Sequence, residues 1–176
     1  MSLPRRCLVD TNVPINANLA SDPATIPDNL IACVQHCVEA IEHVMKTGEL
    51  VIDAGDEIYH EYLRHLSLSG QKGIGNAFMK WVHDYRWRLP DSDRVAISIN
   101  GDSYLEFPIH EGLVNFDQSD RKFVAVANAH PAKPPILQST DSKWWGWKDA
   151  LYEVGITVYF LCPEYVQTLY AEKIER

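Results

Sequence analysis

The stretch Cys7-Leu8-Val9-Asp10-Thr11-Asn12 decides how this chain is read. Three apolar residues in a row are too few for a helix and lack the alternation of a half-exposed strand. They read as a short strand buried on both faces, stopped by a carboxylate at a polar turn. Such strands belong to parallel sheets flanked by helices, which predicts alternation of strand and helix downstream. After a Pro-containing loop, Leu30, Val34, Cys37, Val38, Ile41, Val44 and Met45 recur at three- and four-residue spacing. That pattern predicts an amphipathic helix over about 28–46, with Asp28 as N-cap and Gly48 beyond its end. Leu50-Val51-Ile52 reads as a second buried strand. A helix from about 56 follows, with Ile58, Tyr62, Leu63 and Leu66 on its inner face.

Gly70-Gln71-Lys72-Gly73-Ile74-Gly75 lacks the Gly-Lys-Ser/Thr ending of a phosphate-cradling loop and follows no strand, so it reads as a flexible connection. A helix over about 76–87 carries Phe78, Met79, Val82 and Tyr85. Val95-Ala96-Ile97-Ser98-Ile99 then meets Asn100-Gly101, a turn dipeptide, with Ser103-Tyr104-Leu105-Glu106-Phe107 as the returning strand of a hairpin. The remainder alternates: a helix over about 118–130, the strand Ile136-Leu137-Gln138-Ser139-Thr140, a Trp-rich helix, the strand Ile156-Thr157-Val158-Tyr159-Phe160-Leu161, and a last helix opening at Pro163. The expected architecture is α/β: a three-layer α/β/α arrangement with a central, mostly parallel sheet. The length of 176 residues suits a single domain over 1–176, with residues 70–107 adding a helix and a hairpin.

Composition narrows the function. Sixteen basic against 24 acidic residues give a net charge of −8, which excludes nucleic-acid binding through bulk charge. A polyanionic substrate would need a local basic strip or bound cations. No run approaches the ~18 apolar residues of a membrane span. The three apolar residues before Asp10 fall short of the roughly 7–15 of an export signal, which predicts a cytoplasmic protein. Cys7, Cys33, Cys37 and Cys162 form no C-x-x-C pair and read as reduced thiols, most of them buried. Cys33 and Cys37 share a helical face with Leu30, Val34 and Ile41. That favours core packing over zinc, which needs about four ligands.

Sites in parallel α/β sheets form beyond the carboxyl ends of the strands. Asp10 and Asp141 each directly follow a predicted strand. Either alone is explained by turn capping; two at neighbouring strand ends suggest a shared role. Asp120 lies at the start of its helix, where it either offsets the helix dipole or partners Asp117 in a cap. Glu61 lies inside the second helix, as a solvated charge or turned toward the sheet end. Four converging carboxylates would repel one another and raise their own pKa values. A hard divalent cation, Mg²⁺ or Mn²⁺, resolves that repulsion and leaves positions open for water and phosphate oxygens. The chemistry implied is phosphodiester hydrolysis.

Leu8-Val9-Asp10-Thr11-Asn12-Val13, Glu57-Ile58-Tyr59-His60-Glu61-Tyr62, Asp120-Arg121-Lys122-Phe123-Val124-Ala125-Val126-Ala127 and Ser139-Thr140-Asp141 together resemble a PIN domain, in order and over nearly the whole chain. That family comprises metal-dependent nucleases, many of them endoribonucleases, including toxins of bacterial toxin–antitoxin pairs. The resemblance implies that Asp10, Glu61, Asp120 and Asp141 bind Mg²⁺ or Mn²⁺, with Asn12 and Thr140 orienting ligands or water. Glu57 also fits the acidic position of the second motif; Glu61 matches better because Glu-Tyr follows an apolar helical turn. Asp117 reads as a cap or outer residue. The 70–107 region is longer than a minimal family member needs.

Arg64, His65, Lys72, Lys80, Arg86 and Arg88 alternate with Trp81, Tyr85 and Trp87, a pattern that suits RNA or DNA, or core aromatics beside solvated cations. Lys143-Trp144-Trp145-Gly146-Trp147-Lys148 places three Trp in four positions, which predicts that at least one is exposed or in an interface, a homodimer contact before a single-strand platform. The expected activity is an endoribonuclease acting on single-stranded or structured RNA, with an antitoxin as a further partner. Two alternatives stand beside it. One is a catalytically silent PIN-like module that binds RNA or protein. The other is an aspartyl-nucleophile phosphatase, disfavoured because Asn12 stands where such an enzyme wants an acid.

Overall fold

A computed structural model describes residues 2–176. The strand β1 (Leu8–Val9) is completely buried, as its apolar run requires. It pairs in parallel with β6 (Ile136–Gln138), which pairs in parallel with β7 (Val158–Phe160). On the other side of β1, the segment leading to β2 (Ile52–Asp53) is joined by a parallel bridge between Cys7 and Leu50. There Val51 N–H donates to the Cys7 carbonyl at 2.9 Å. β2 in turn pairs in parallel with β3 (Arg94–Val95). Five parallel segments therefore lie side by side in the order β3-β2-β1-β6-β7. The chain leaves β1 toward one edge and returns to its opposite side, so the carboxyl end of β1 is the point where strand order reverses. The α/β class with a parallel sheet is what the sequence predicts.

The helices α1 (Asn12–Asn18), α2 (Ile31–Thr47), α3 (Glu57–His65), α4 (Ile74–Tyr85), α5 (Arg121–Ala129), α6 (Lys143–Glu153) and α7 (Pro163–Ile174) carry the rest of the core. α2 buries Cys33, Val34, Cys37, Ala40, Ile41 and Val44 on one face and ends at Gly48, whose φ of 68° closes the helix. A left-handed residue there suits glycine. Asp28 does not cap it; residues 28–30 form a 3₁₀ turn ahead of the helix, with no side-chain cap bond. α3 is capped instead by Asp53, whose carboxylate accepts from the Glu57 and Ile58 N–H groups at 2.8 Å.

Several local expectations shift. The segment after Asp10 is not a loop but α1, because Pro14 falls in the first turn, where its missing N–H costs no hydrogen bond. The predicted strand 95–99 divides: Val95 belongs to the parallel sheet, while Ile99–Asn100 (β4) pairs antiparallel with Ser103–Tyr104 (β5). The two residues between them are Gly101 and Asp102, one position later than the Asn-Gly signal suggests, with Gly101 at φ 61°. Leu63 is exposed and Tyr59 takes its inward place on α3. None of the three clustered Trp is fully exposed: Trp144 is buried, Trp145 packs on Phe160 at 5.0 Å and Trp147 on Phe116 at 4.4 Å. The helix turns one Trp to the core and the strand and loop beside it cover the others.

The cysteines also depart from the expectation of free thiols. Cys33 and Cys162 form a disulfide with their Cα atoms 5.2 Å apart, across 129 residues of sequence. Cys33 lies in the first turn of α2 and Cys162 caps α7, a proximity that only the tertiary fold creates. Cys7 and Cys37 remain free and buried, and burial pushes both thiols up to about 12.

α1 and α4 approach closely at Gly75, where an added Cβ would lie 1.9 Å from the Pro14 carbonyl oxygen. Backbone cannot yield as a side-chain tip can. Gly75→Ala should therefore lower stability by about 3 kcal/mol, read as a reduced urea midpoint at unchanged slope.

Candidate active site

Asp10 emerges from the carboxyl end of β1 and is only 2 % exposed. Its Oδ2 accepts the Asn12 N–H at 3.0 Å, so it also closes the turn into α1. Burial pushes its carboxyl up to about 8, the charge of Asp120 and more weakly that of Asp141 add to the rise, and the Asn12 N–H and Gln138 oppose it. Asp120, half-buried just before α5, is pushed up to about 6 by burial first, then by the charges of Asp141 and Asp117. The indole N–H of the buried Trp144 donates to Asp120 Oδ2 at 3.3 Å and, with Lys122, works the other way. Asp141 follows β6 and accepts the Lys143 N–H at 3.0 Å. Three acids from three separate segments thus meet at the switch point, where the charge of Asp141 makes both Asp10 and Asp120 harder to ionise and that of Asp120 acts further on Asp10.

Glu61 stands differently. Its carboxylate is paired with Arg64 at 2.8 Å, Lys122 at 3.4 Å and His65 at 3.5 Å. It does not figure among the charges that chiefly act on Asp10 or Asp120. Lys122 is itself buried and acts on both Glu61 and Asp120, linking the fourth acid to Asp120 alone. Tyr62, next on α3, donates its hydroxyl to the Val9 carbonyl at 2.6 Å and pins the helix beside the end of β1. Glu57 accepts from Tyr104 of the hairpin at 3.4 Å. Asp117 is a cap: it accepts from Ser119 N–H at 3.1 Å and pairs with Lys143 at 2.8 Å, which lowers its carboxyl to about 2.

Asn12 contributes its backbone N–H, while Thr140 Oγ1 accepts from the Asn16 amide at 3.0 Å. That same amide donates to Ser139 Oγ at 2.9 Å. Sequence reasoning missed Asn16, Lys122, Gln138 and Trp144. The signal for Asn16 was its four-residue spacing from Asn12, visible only once 12–18 is known to be helical.

One buried polar atom at this edge, Thr11 Oγ1, has no hydrogen-bond partner, and the Gln138 amide faces Asp10. Unpaired buried polar groups cost roughly 1–3 kcal/mol and call for a ligand or water. The donor set is all oxygen, which suits Mg²⁺ or Mn²⁺ rather than a thiophilic metal. Among the described residues, no three carboxylates bring oxygens within 4.8 Å of one another, so they form no closed cage. That fits a cation held by one or two carboxylates with water completing its shell, the usual arrangement for Mg²⁺. Two cavities, of about 530 and 380 Å³, lie away from these acids and are lined by none of them.

No protein-family model, curated protein or solved structure matches this chain. The functional reading rests on the site itself.

Proposed function

We propose that this protein is a divalent-metal-dependent nuclease of PIN-like architecture, a cytoplasmic endoribonuclease that hydrolyses phosphodiester bonds in single-stranded or structured RNA. The observation that carries this reading is the meeting of Asp10, Asp120 and Asp141 at the strand-order switch, with Asp10 and Asp120 both pushed up by burial and by acid neighbours. Carboxylates arranged against their own ionisation suit a site whose missing partner is a cation. The parallel order β3-β2-β1-β6-β7, with Asp10 at the end of its central strand, supports the same family.

A bound Mg²⁺ or Mn²⁺ would activate a water and neutralise charge on the leaving oxygen. The protein's own groups divide the remaining work. Asp10 and Asp120 would hold the cation, directly or through water. Asp141, anchored by the Lys143 N–H, would supply a third carboxylate beside the cation. Trp144 fixes the orientation of Asp120, and Asn16 fixes Thr140. Thr11 Oγ1 would be available to bond a water beside the cation, while Gln138 steadies Asp10. Glu61, paired with Arg64 and Lys122 and beside His65, sets the charge of the α3 side of the site.

Substrate needs a local cationic path across an acidic protein. Trp87 is 60 % exposed and flanked by the guanidinium groups of Arg86 and Arg94 at 4.5 Å each. Tyr85, also exposed, stacks on Trp81 and carries Arg88 over its ring at 5.0 Å. Such aromatic–cation stacks suit unpaired bases. The deciding experiment is Mn²⁺-dependent cleavage of single-stranded RNA by wild type and by Asp10→Asn. Cutting that requires metal and vanishes in the variant supports the nuclease. Equal background in both returns the chain to a binding module.

Cation binding should also depend on pH. Below about pH 8 a cation must displace the proton that Asp10 retains in the folded protein, and above it need not. The rise in melting temperature produced by Mn²⁺ should therefore be larger at pH 8.5 than at pH 6, read by calorimetry at fixed ionic strength. A shift independent of pH would place the ion elsewhere.

A further inference from the structure

Away from the carboxylates, the sulfurs of Cys33, Cys37 and Cys162 all lie within 4.8 Å of one another. Cys33 and Cys37 stand one turn apart on α2, and both meet Cys162 at the start of α7. Two of the three are joined in the disulfide; Cys37 is left as a buried thiol with a hydrogen bond to Ser139 as its polar contact. A single disulfide needs only two cysteines, and the third sits within bonding range of the same point. Tetrahedral zinc with Zn–S bonds of about 2.3 Å separates its sulfurs by roughly 3.8 Å, a spacing that this trio already allows.

The surroundings match. Cys33 and Cys162 line the cavity of about 530 Å³ together with His36, Glu164 and Glu172. His36 is tied by Nδ1 to the Leu161 carbonyl at 2.9 Å. A carbonyl only accepts, so Nδ1 donates, the arrangement also found in metal-binding histidines held by a backbone oxygen. Cys162 precedes the first turn of α7, where the helix dipole favours a thiolate.

We propose that, once the Cys33–Cys162 bond is reduced, Cys33, Cys37 and Cys162 form a three-thiolate site for zinc, with the fourth position open to the cavity. Reduction consumes two equivalents of a low-molecular-weight thiol, which leave as their own disulfide, and gives Cys33 and Cys162 one proton each. Zinc then displaces the three thiol protons to solvent. The metal ties α2 to α7 under reducing conditions as the disulfide does under oxidising ones. This site shares no residue with the carboxylate group and stands whether or not the protein is a nuclease.

The test uses the full chain carrying Asp10→Asn, so that the carboxylate site contributes little. The protein is reduced with a phosphine, freed of metal and titrated without oxygen with Co²⁺, then with Zn²⁺. Thiolate-to-cobalt charge-transfer absorption should saturate at one equivalent, be bleached by one equivalent of Zn²⁺, and be absent from the oxidised protein. Cys37→Ser, which retains the disulfide and so can be checked for folding in the oxidised state, should lose at least ~100-fold in zinc affinity. Should that variant not fold, Cys162→Ser in the reduced protein gives the same reading. Reduced protein without stoichiometric thiolate absorption, or variants that bind zinc as tightly as their parent, would overturn the proposal.

Discussion

Asp10→Asn should lower Mn²⁺-dependent RNA cleavage to about 1 % of wild type or less, and at the same time flatten the pH dependence of stability. The first effect follows from the cation's role: several kcal/mol of charge stabilisation, at 1.36 kcal/mol per decade, corresponds to about 100-fold or more. Asn keeps the shape of the side chain and can still accept the Asn12 N–H, so the fold of the turn is retained. The second effect follows from linkage. Asp10 ionises near its ordinary 3.8 when unfolded but only at about 8 when folded. Between those values the native state holds one more proton than the unfolded state. The Asp10 contribution to wild-type stability in the absence of metal should therefore be full below about pH 4, fall as pH rises, and level off above about pH 8. The slope is on the order of 1 kcal/mol per pH unit. Asp120, raised to about 6, contributes in the same direction over the lower part of that range. In Asp10→Asn the main slope disappears and Asp120 also loses an acid neighbour, so the variant should exceed wild type in stability at pH 8. Urea unfolding from pH 5 to 9 in chelator measures this. A variant less stable than wild type across that range would remove the electrostatic account of the site, and undiminished cleavage would remove the catalytic one.

Reducing the Cys33–Cys162 bond should be the second large effect. The bond spans 129 residues, and in the chain-entropy picture a loop of that size is worth about 4–5 kcal/mol. Domains of this size are stable by only about 5–15 kcal/mol, so reduction should remove a third or more of the total. The measurement is urea unfolding with and without reductant, in chelator so that no metal replaces the tie. The double substitution of Cys33 and Cys162 by Ser should reproduce the reduced value. A loss below about 1 kcal/mol would mean that packing of α7 on α6 already holds that end of the chain.

Local pattern was a good guide wherever a segment's own residues set its structure. The apolar run before Asp10, the helical spacing of Val34, Cys37, Ile41 and Val44, and Pro163 at a helix start all reappear as read. It failed where a distant partner chose. Val95 was drawn from a hairpin into the parallel sheet by β2, and Trp145 and Trp147 were covered by Phe160 and Phe116. Strand-end acids show the same division. Asp53 is a plain helix cap, while Asp10, equally placed at a strand end, faces other acids.

From its residue order alone, then, the chain settled its alternation of strands and helices and the emergence of Asp10 at the end of β1, because burial periodicity and turn chemistry act over a few neighbours; β6 stops at Gln138, three residues short of Asp141. The folded arrangement alone decided which acids meet, that Glu61 is bound up with Lys122, Arg64 and His65, and that Cys33 finds Cys162. Those outcomes depend on separations of tens to more than a hundred residues, where proximity is set by how elements pack and leaves no mark in local spacing.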